Sequence, residues 1–160
     1  AASRLLRPGG RMVPPVAEVR IALCDWTRFG ALERVSGFDL ADINPLMMAT
    51  RRLNANQGDL ALRSNPAALF SFDFADPDMP ETRENRMLLE GTGGAANGVV
   101  QWLRIDLGGS DTYENHPLSN GESHWRPLFY PFESPIDTAP GALVAIEGSH
   151  DARSVRIRPG

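Results

Sequence analysis

The sequence predicts a mainly β domain, barrel-like in the broad sense of a distorted barrel or sandwich, with one inserted helical arm. Three features carry that expectation. Short apolar runs alternate with polar residues at the period of a strand, proline and glycine punctuate them, and only between about Trp26 and Asn56 does the periodicity turn helical.

In chain order, Arg4-Leu5-Leu6-Arg7 ahead of Pro8-Gly9-Gly10 reads as the last turn of a helix stopped by the proline, and Arg11-Met12-Val13 begins an extended segment. Pro14-Pro15 forces a bend. Val19, Ile21 and Leu23 then alternate with Arg20, Ala22 and Cys24, as in a half-buried strand. From Trp26 onward Phe29, Leu32 and Glu33 suggest a helical turn that Gly37 interrupts. Asn44-Pro45 supplies an N-cap and first-turn proline, and Leu46, Ala49, Thr50 and Leu53 mark one helix face with Met47 and Met48 beside it. Two readings of this helix stay open: a surface helix packed on its own domain, or an arm offering adaptable methionines to a partner.

Beyond Gly58 the chain reads as β structure. Leu60–Leu62, Ala68–Phe74, Arg86–Glu90, Gly98–Leu107, Leu128–Phe132, Leu143–Ile146 and Ser154–Ile157 are the expected strands. Ser64-Asn65-Pro66 is a turn, Asp76-Pro77-Asp78-Met79-Pro80 a loop, and Pro140-Gly141 a type II turn. The run Gly91-Thr92-Gly93-Gly94-Ala95-Ala96-Asn97 lacks the Gly-x-Gly-x-x-Gly order and precedes strand pattern, so it reads as a flexible hairpin loop and not as a nucleotide cradle. Val100, Trp102, Arg104 and Asp106 share one face of their strand, with charge at one end only. Gly108-Gly109 ends that strand, and Tyr113-Glu114-Asn115-His116-Pro117 opens a long irregular segment.

A chain of 160 residues makes one domain, able to bury roughly 68–70% of the surface its unfolded form exposes. Cys24 is the single cysteine, so no intrachain disulfide and no thiolate metal cluster can form, and His116, His124 and His150 are not at metal-ligand spacing. No apolar run reaches the ~18 residues of a membrane span, and the start lacks a signal-peptide pattern. The sequence therefore predicts a soluble, cytoplasmic protein with neither metal nor membrane contact. The chain opens at Ala1 in mid-element, which predicts a piece of a longer protein. All 16 basic residues are arginine, and the net charge of −4 argues against a nucleic-acid surface and suits approach by basic polypeptides.

The stretch Gly121 to Phe132 sets a polar tip, Glu122-Ser123-His124-Trp125, against an aromatic run. An imidazole beside an indole at the mouth of a sheet can both hydrogen-bond and stack. The competing reading makes Trp125 a core plug and His124 a satisfied loop residue.

Several motifs in order resemble the protein arginine methyltransferases. Leu6-Arg7-Pro8-Gly9-Gly10-Arg11-Met12-Val13-Pro14 is similar to the late helix-to-strand link of class I S-adenosylmethionine-dependent methyltransferases. Val35-Ser36-Gly37-Phe38-Asp39-Leu40 resembles the opening of the family's dimerisation arm. Gln101-Trp102-Leu103-Arg104-Ile105-Asp106, the Pro135-Ile136 and Pro140-Gly141 approach, and Ser123-His124-Trp125, with serine in the place of threonine, are similar to parts of its C-terminal barrel. His150-Asp151 is closest to the family's divergent members.

The resemblance implies that residues 1–13 are the tail of a Rossmann-like S-adenosylmethionine-binding domain and residues 14–160 a β-barrel domain with its arm at about 26–56. It implies methyl transfer to a guanidinium nitrogen of a protein or peptide arginine in the full-length protein, with His124 an accessory catalytic group and Trp125 and Ser123 binding substrate. Phe38, Leu46, Met47, Met48 and Leu53 would form the dimerisation arm. The cofactor loop and the acceptor-holding glutamates would lie upstream, so these residues alone should bind no S-adenosylmethionine and should not catalyse; Glu33, Glu81, Glu84, Glu90 and Glu122 receive no catalytic role. The parent would be a homodimer, and this segment alone a monomer or weak dimer. Two alternatives remain: a non-catalytic β-domain for protein binding, or a methyltransferase barrel serving a non-arginine acceptor.

Overall fold

The alternation of the early apolar residues builds the strand on which everything else is hung. In a computed structural model, which describes residues 10–29, 34–43, 48–54, 58–120, 123–151 and 153–160, the strands are β1 (Val16–Trp26), β2 (Arg34–Val35), β3 (Phe38–Asp39), β4 (Arg51–Arg52), β5 (Leu60–Leu62), β6 (Ala67–Asp73), β7 (Arg83–Glu90), β8 (Ala95–Gly108), β9 (Asp111–Glu114), β10 (Leu128–Asp137), β11 (Leu143–His150) and β12 (Val155–Pro159). One antiparallel sheet has the order β4-β10-β8-β1-β5, with β6 also on β1 and β9 also on β8. A second has the order β12-β11-β7, and β2–β3 is a separate hairpin.

The two larger sheets pack face to face. Val19, Ile21, Leu23, Val99 and Tyr130 of the first meet Leu89, Val144, Ile146 and Ile157 of the second in one core. A bulge between Val19 and Arg20 in the pairing of β1 with β6 leaves one extra residue on β6, so the neighbours Leu69 and Phe70 are both buried. Burial pushes the Tyr130 phenol up to about 12, and its one hydroxyl proton is shared between Gln101 Oε1 at 2.8 Å and the Val155 carbonyl at 3.1 Å, tying the sheets together. The architecture is the sandwich form of the expected β domain.

A smaller core covers the opposite face of the first sheet, where Ala22, Cys24, Leu53, Leu60, Val100, Trp102 and Phe129 meet. This second core corrects the half-buried reading of β1, because Ile21 through Cys24 are enclosed from both sides. Burial raises the Cys24 thiol far above its ordinary value, which keeps it protonated and inert. Gly98 is required here: a Cβ would stand 2.5 Å from the Phe129 ring and the Tyr130 carbonyl oxygen.

The expected helical arm is not seen. Among the described residues between Trp26 and Asn56 there are the β2–β3 hairpin, a 3₁₀ turn at Ala41–Ile43 and β4, and no α-helix. Asn44, Pro45, Leu46 and Met47 lie outside the described residues, as do residues 1–9 of the first motif. Leu53, expected on the arm, is fully buried in the second core, and its N–H donates to the Pro127 carbonyl at 2.8 Å. Pairing with β10 through Leu128↔Arg52 and Phe129↔Arg51 draws this stretch into the sheet and overrides its helical spacing.

The expected loop from Gly91 to Asn97 is likewise no free hairpin loop: Ala95, Ala96 and Asn97 already belong to β8, and the glycines before them are tied down. Gly91 N–H donates to the Ala142 carbonyl at 2.8 Å, Gly93 N–H to that of Thr138 at 2.7 Å, and Thr138 N–H to that of Gly94 at 2.9 Å, with Thr138 fully buried. The Pro140-Gly141 turn forms as expected: Ala142 N–H reaches the Ala139 carbonyl at 2.8 Å, and Gly141 takes φ +85°.

Candidate functional site

Strand β8 is too long for a single partner on its outer edge, and the shortfall builds the site. β10 pairs with it from Ala95 to Gln101, with a register shift before Gly98, and β9 from Arg104 to Gly108. Trp102 and Leu103 fall in the break. Asn115, 5% exposed, fills it: its Oδ1 accepts the Leu103 N–H at 2.7 Å, and its backbone N–H donates to the Leu103 carbonyl at 3.2 Å. The Asn115 Nδ2 then donates to the Trp125 carbonyl at 2.5 Å, so the residue that completes the sheet edge also anchors the loop beyond it.

That loop is held by a second set of bonds. The Tyr113 hydroxyl is hydrogen-bonded to Ser123 Oγ. Ser123 Oγ accepts the Trp125 N–H at 3.1 Å and donates to the Trp125 carbonyl at 3.0 Å, closing a serine turn. The segment expected to be irregular from Tyr113 onward therefore begins as the end of β9. Tyr113 and Asn115, two apart, serve the loop, and Glu114 points the other way to accept the Trp102 Nε1–H at 2.6 Å.

Trp125 is 55% exposed and meets the Tyr113 ring edge-on, with centroids 5.7 Å apart. The core plug is Trp102, at 1% exposure, and not Trp125. His124 is exposed and makes no hydrogen bond among the described residues. Together His124 and Trp125 form a ridge between two grooves. One, about 500 Å³, is mostly apolar, with Pro14, Ile105, Leu107 and Tyr113 around it. The other, about 590 Å³, is polar, with Arg52, Gln101, Asn115 and Arg126.

Of the residues singled out from sequence, Ser123, His124 and Trp125 are brought together. Phe38, Met48 and Leu53 do not line either groove: Phe38 is 71% exposed on the β2–β3 hairpin, Met48 is half-buried, and Leu53 is core. Tyr113, Asn115, Arg52 and Arg126 went unnoticed. The alternate spacing of Tyr113 and Asn115 was the available signal, since it puts both on one side of an extended chain.

No family model matches the chain. An "Arginine N(omega)-methyltransferase" of Streptomyces achromogenes subsp. streptozoticus is 27% identical over 159 residues, covering 91% of this chain and 41% of that protein. A chain of the Trypanosoma brucei PRMT1 enzyme-prozyme heterotetrameric complex with AdoHcy superposes with a TM-score of 0.68 at 18% identity, covering 89% of this chain and 48% of that one. The chain thus shares its fold with a chain of that complex and is similar in sequence to an arginine methyltransferase. The chain spans about two fifths of that relative and about half of the solved chain. Its antiparallel sheets are the shared fold, and the Ser-His-Trp loop stands at the break in the edge of its longest strand.

Proposed function

We propose that this domain forms the acceptor-side wall of an S-adenosylmethionine-dependent arginine N-methyltransferase, with residues 1–13 closing a preceding Rossmann-like domain that holds the cofactor. The observation that carries the reading is Trp125: a large indole, more than half exposed, whose backbone is fixed through Ser123, Tyr113 and Asn115 beside an apolar groove. The described residues do not fit the cofactor itself. Their glycine run is tied into the corner at Thr138 and Ala142, and no glycine loop among them leads from a strand into a helix.

When bound, the cofactor supplies a methyl group on a sulfonium. The task left to this chain is to hold a delocalised cation with one nitrogen lone pair available. Trp125 offers a π face, worth about 0.5–2 kcal/mol to a guanidinium. Ile105 and Leu107 keep water from the apolar side, and His124 on the ridge is placed to orient a polar group from the preceding domain. Trp125→Ala in the full-length protein should lower kcat/KM for arginine methylation by about 2- to 30-fold, with cofactor affinity and melting temperature near wild type. Unchanged kinetics would refute the wall.

The same reading makes the hairpin around Phe38 a contact between two copies of the parent, because its apolar ring, at 71% exposure, lacks cover among the described residues. Sedimentation of the full-length protein should show Phe38→Ala shifting a dimer toward monomer. An unshifted dimer would move the contact elsewhere.

A further inference from the structure

The polar groove behind Trp125 presents donors and almost no acceptors. Arg52 and Arg126 both line it, and among the described residues neither makes an ion pair or a hydrogen bond. Arg52 stands directly opposite Leu128, which in turn stands opposite Gln101, so the three share one row across the sheet. Gln101 is 8% exposed, its side-chain carbonyl meets the Tyr130 hydroxyl, and its amide N–H groups have no partner among the described residues. Asn115 has already committed its amide oxygen to Leu103 and its amide nitrogen to Trp125. No described carboxylate lines the groove, although the whole chain carries −4. Two guanidiniums and a buried amide donor facing one concavity match a carboxylate, which accepts such bonds in pairs.

Resting on the acceptor-wall reading above, the geometry points to an acceptor that carries its own carboxylate: a free guanidino acid such as L-arginine. The guanidinium would lie against Trp125 on the apolar side, and the carboxylate would reach Arg52 and Arg126 on the polar side. An extended arginine separates these two groups by on the order of 7 Å, from bond lengths near 1.5 Å, which is enough to straddle one indole. A basic peptide, by contrast, brings further cations toward the two arginines.

The test uses the full-length protein with S-adenosylmethionine and four acceptors: L-arginine, agmatine (the same guanidine without a carboxylate), an arginine peptide with both ends blocked, and the same peptide with a glutamate beside the arginine. L-Arginine should exceed agmatine and the blocked peptide in kcat/KM by about 10- to 100-fold, as expected for charge-assisted bonds to a carboxylate. Arg52→Ala and Arg126→Ala should each shrink that preference about tenfold, mainly through KM. Agmatine equal to arginine, or a blocked peptide better than it, overturns the inference, and a glutamate peptide matching free arginine assigns the groove to a side chain and overturns it too. Failure of all four acceptors to be methylated would sink the methyltransferase reading instead. Calorimetry of L-arginine against agmatine then still judges the groove: equal affinity overturns it, and at least tenfold tighter arginine supports it.

Discussion

The first sheet has a break on each of two edges, and the two are mended in the same way with opposite results. On β1, the interval between β5 and β6 is filled by Ser64, whose buried Oγ accepts the Leu23 N–H at 2.9 Å, while Arg63 N–H donates to the Leu23 carbonyl at 2.7 Å. The ladder then runs on: the Arg63 carbonyl accepts Thr92 N–H, and Ser64 bridges Gly91. That edge becomes a closed corner where the two large sheets meet. On β8, Asn115 performs the same repair, but its spare amide group holds a loop that turns outward and leaves an indole uncovered. A buried polar side chain thus completes a sheet in either place, and what differs is whether its second bond goes to more sheet or to a surface loop.

The largest expected effect tests that difference directly. Asn115→Ala leaves the Leu103 N–H without its partner and the Trp125 carbonyl with only the Ser123 hydroxyl, a loss of about 2–4 kcal/mol. Ser64→Ala orphans one N–H and should cost about 1–3 kcal/mol. Urea denaturation of both variants gives the ranking, and a second contrast is sharper: Asn115→Ala should also loosen Trp125, seen as a red-shifted and more quenchable emission, and, under the proposed acceptor-wall role, reduce methyl transfer in the full-length protein. Ser64→Ala should leave that emission as it is. Equal optical changes in both would dissolve the distinction between the corner and the loop.

The smallest effect comes from a third device, exposed where those two are buried. The Asp151 carboxylate accepts the N–H groups of Ser154 and Arg153 at 2.8 and 3.1 Å and the Ser154 hydroxyl at 3.1 Å in the turn after β11. These bonds hold its pKa below the ordinary value. A depressed carboxyl contributes stability above the unfolded-state pKa, near 4, and loses it as pH falls through the folded value. Between about pH 5 and pH 2, wild type should therefore lose slightly more stability than Asp151→Asn. Parallel acid titrations would remove this contribution.

What the sequence made legible was local. Leu60–Leu62 forms the strand its alternation predicts, with the same ends, and the other expected strands form with ends shifted by a few residues. Pro140-Gly141 turns as its residues dictate, and the Ser-His-Trp tip was visible because its neighbours are so apolar. Leu53 was misread because the spacing from Leu46 fits a helix, while pairing with β10, some 75 residues away, decides its burial. The glycine run was misread for the same reason, since its partners Thr138 and Ala142 are remote. β9 was missed because four residues give alternation little to work with, and with it went Asn115, whose role is defined entirely by contacts across the sheet. Arg52 and Arg126 come together only through that pairing.

The position of β1 has a consequence for synthesis on the ribosome. Its long partner β8 is encoded about 80 residues later, with Ala17 waiting for Ile105 and Cys24 for Gly98, so at about 5–20 residues per second one edge of the central strand stays open for roughly 4–16 s. β5 and β6 emerge sooner and can cover the other edge. During that interval Ile21 to Leu23 is an apolar strand with one edge unpaired, the kind of surface on which nascent chains pair with each other or with a chaperone. The yield of folded domain is therefore sensitive to translation speed between β6 and β8, and synonymous codons there can change it without altering a single contact of the finished molecule.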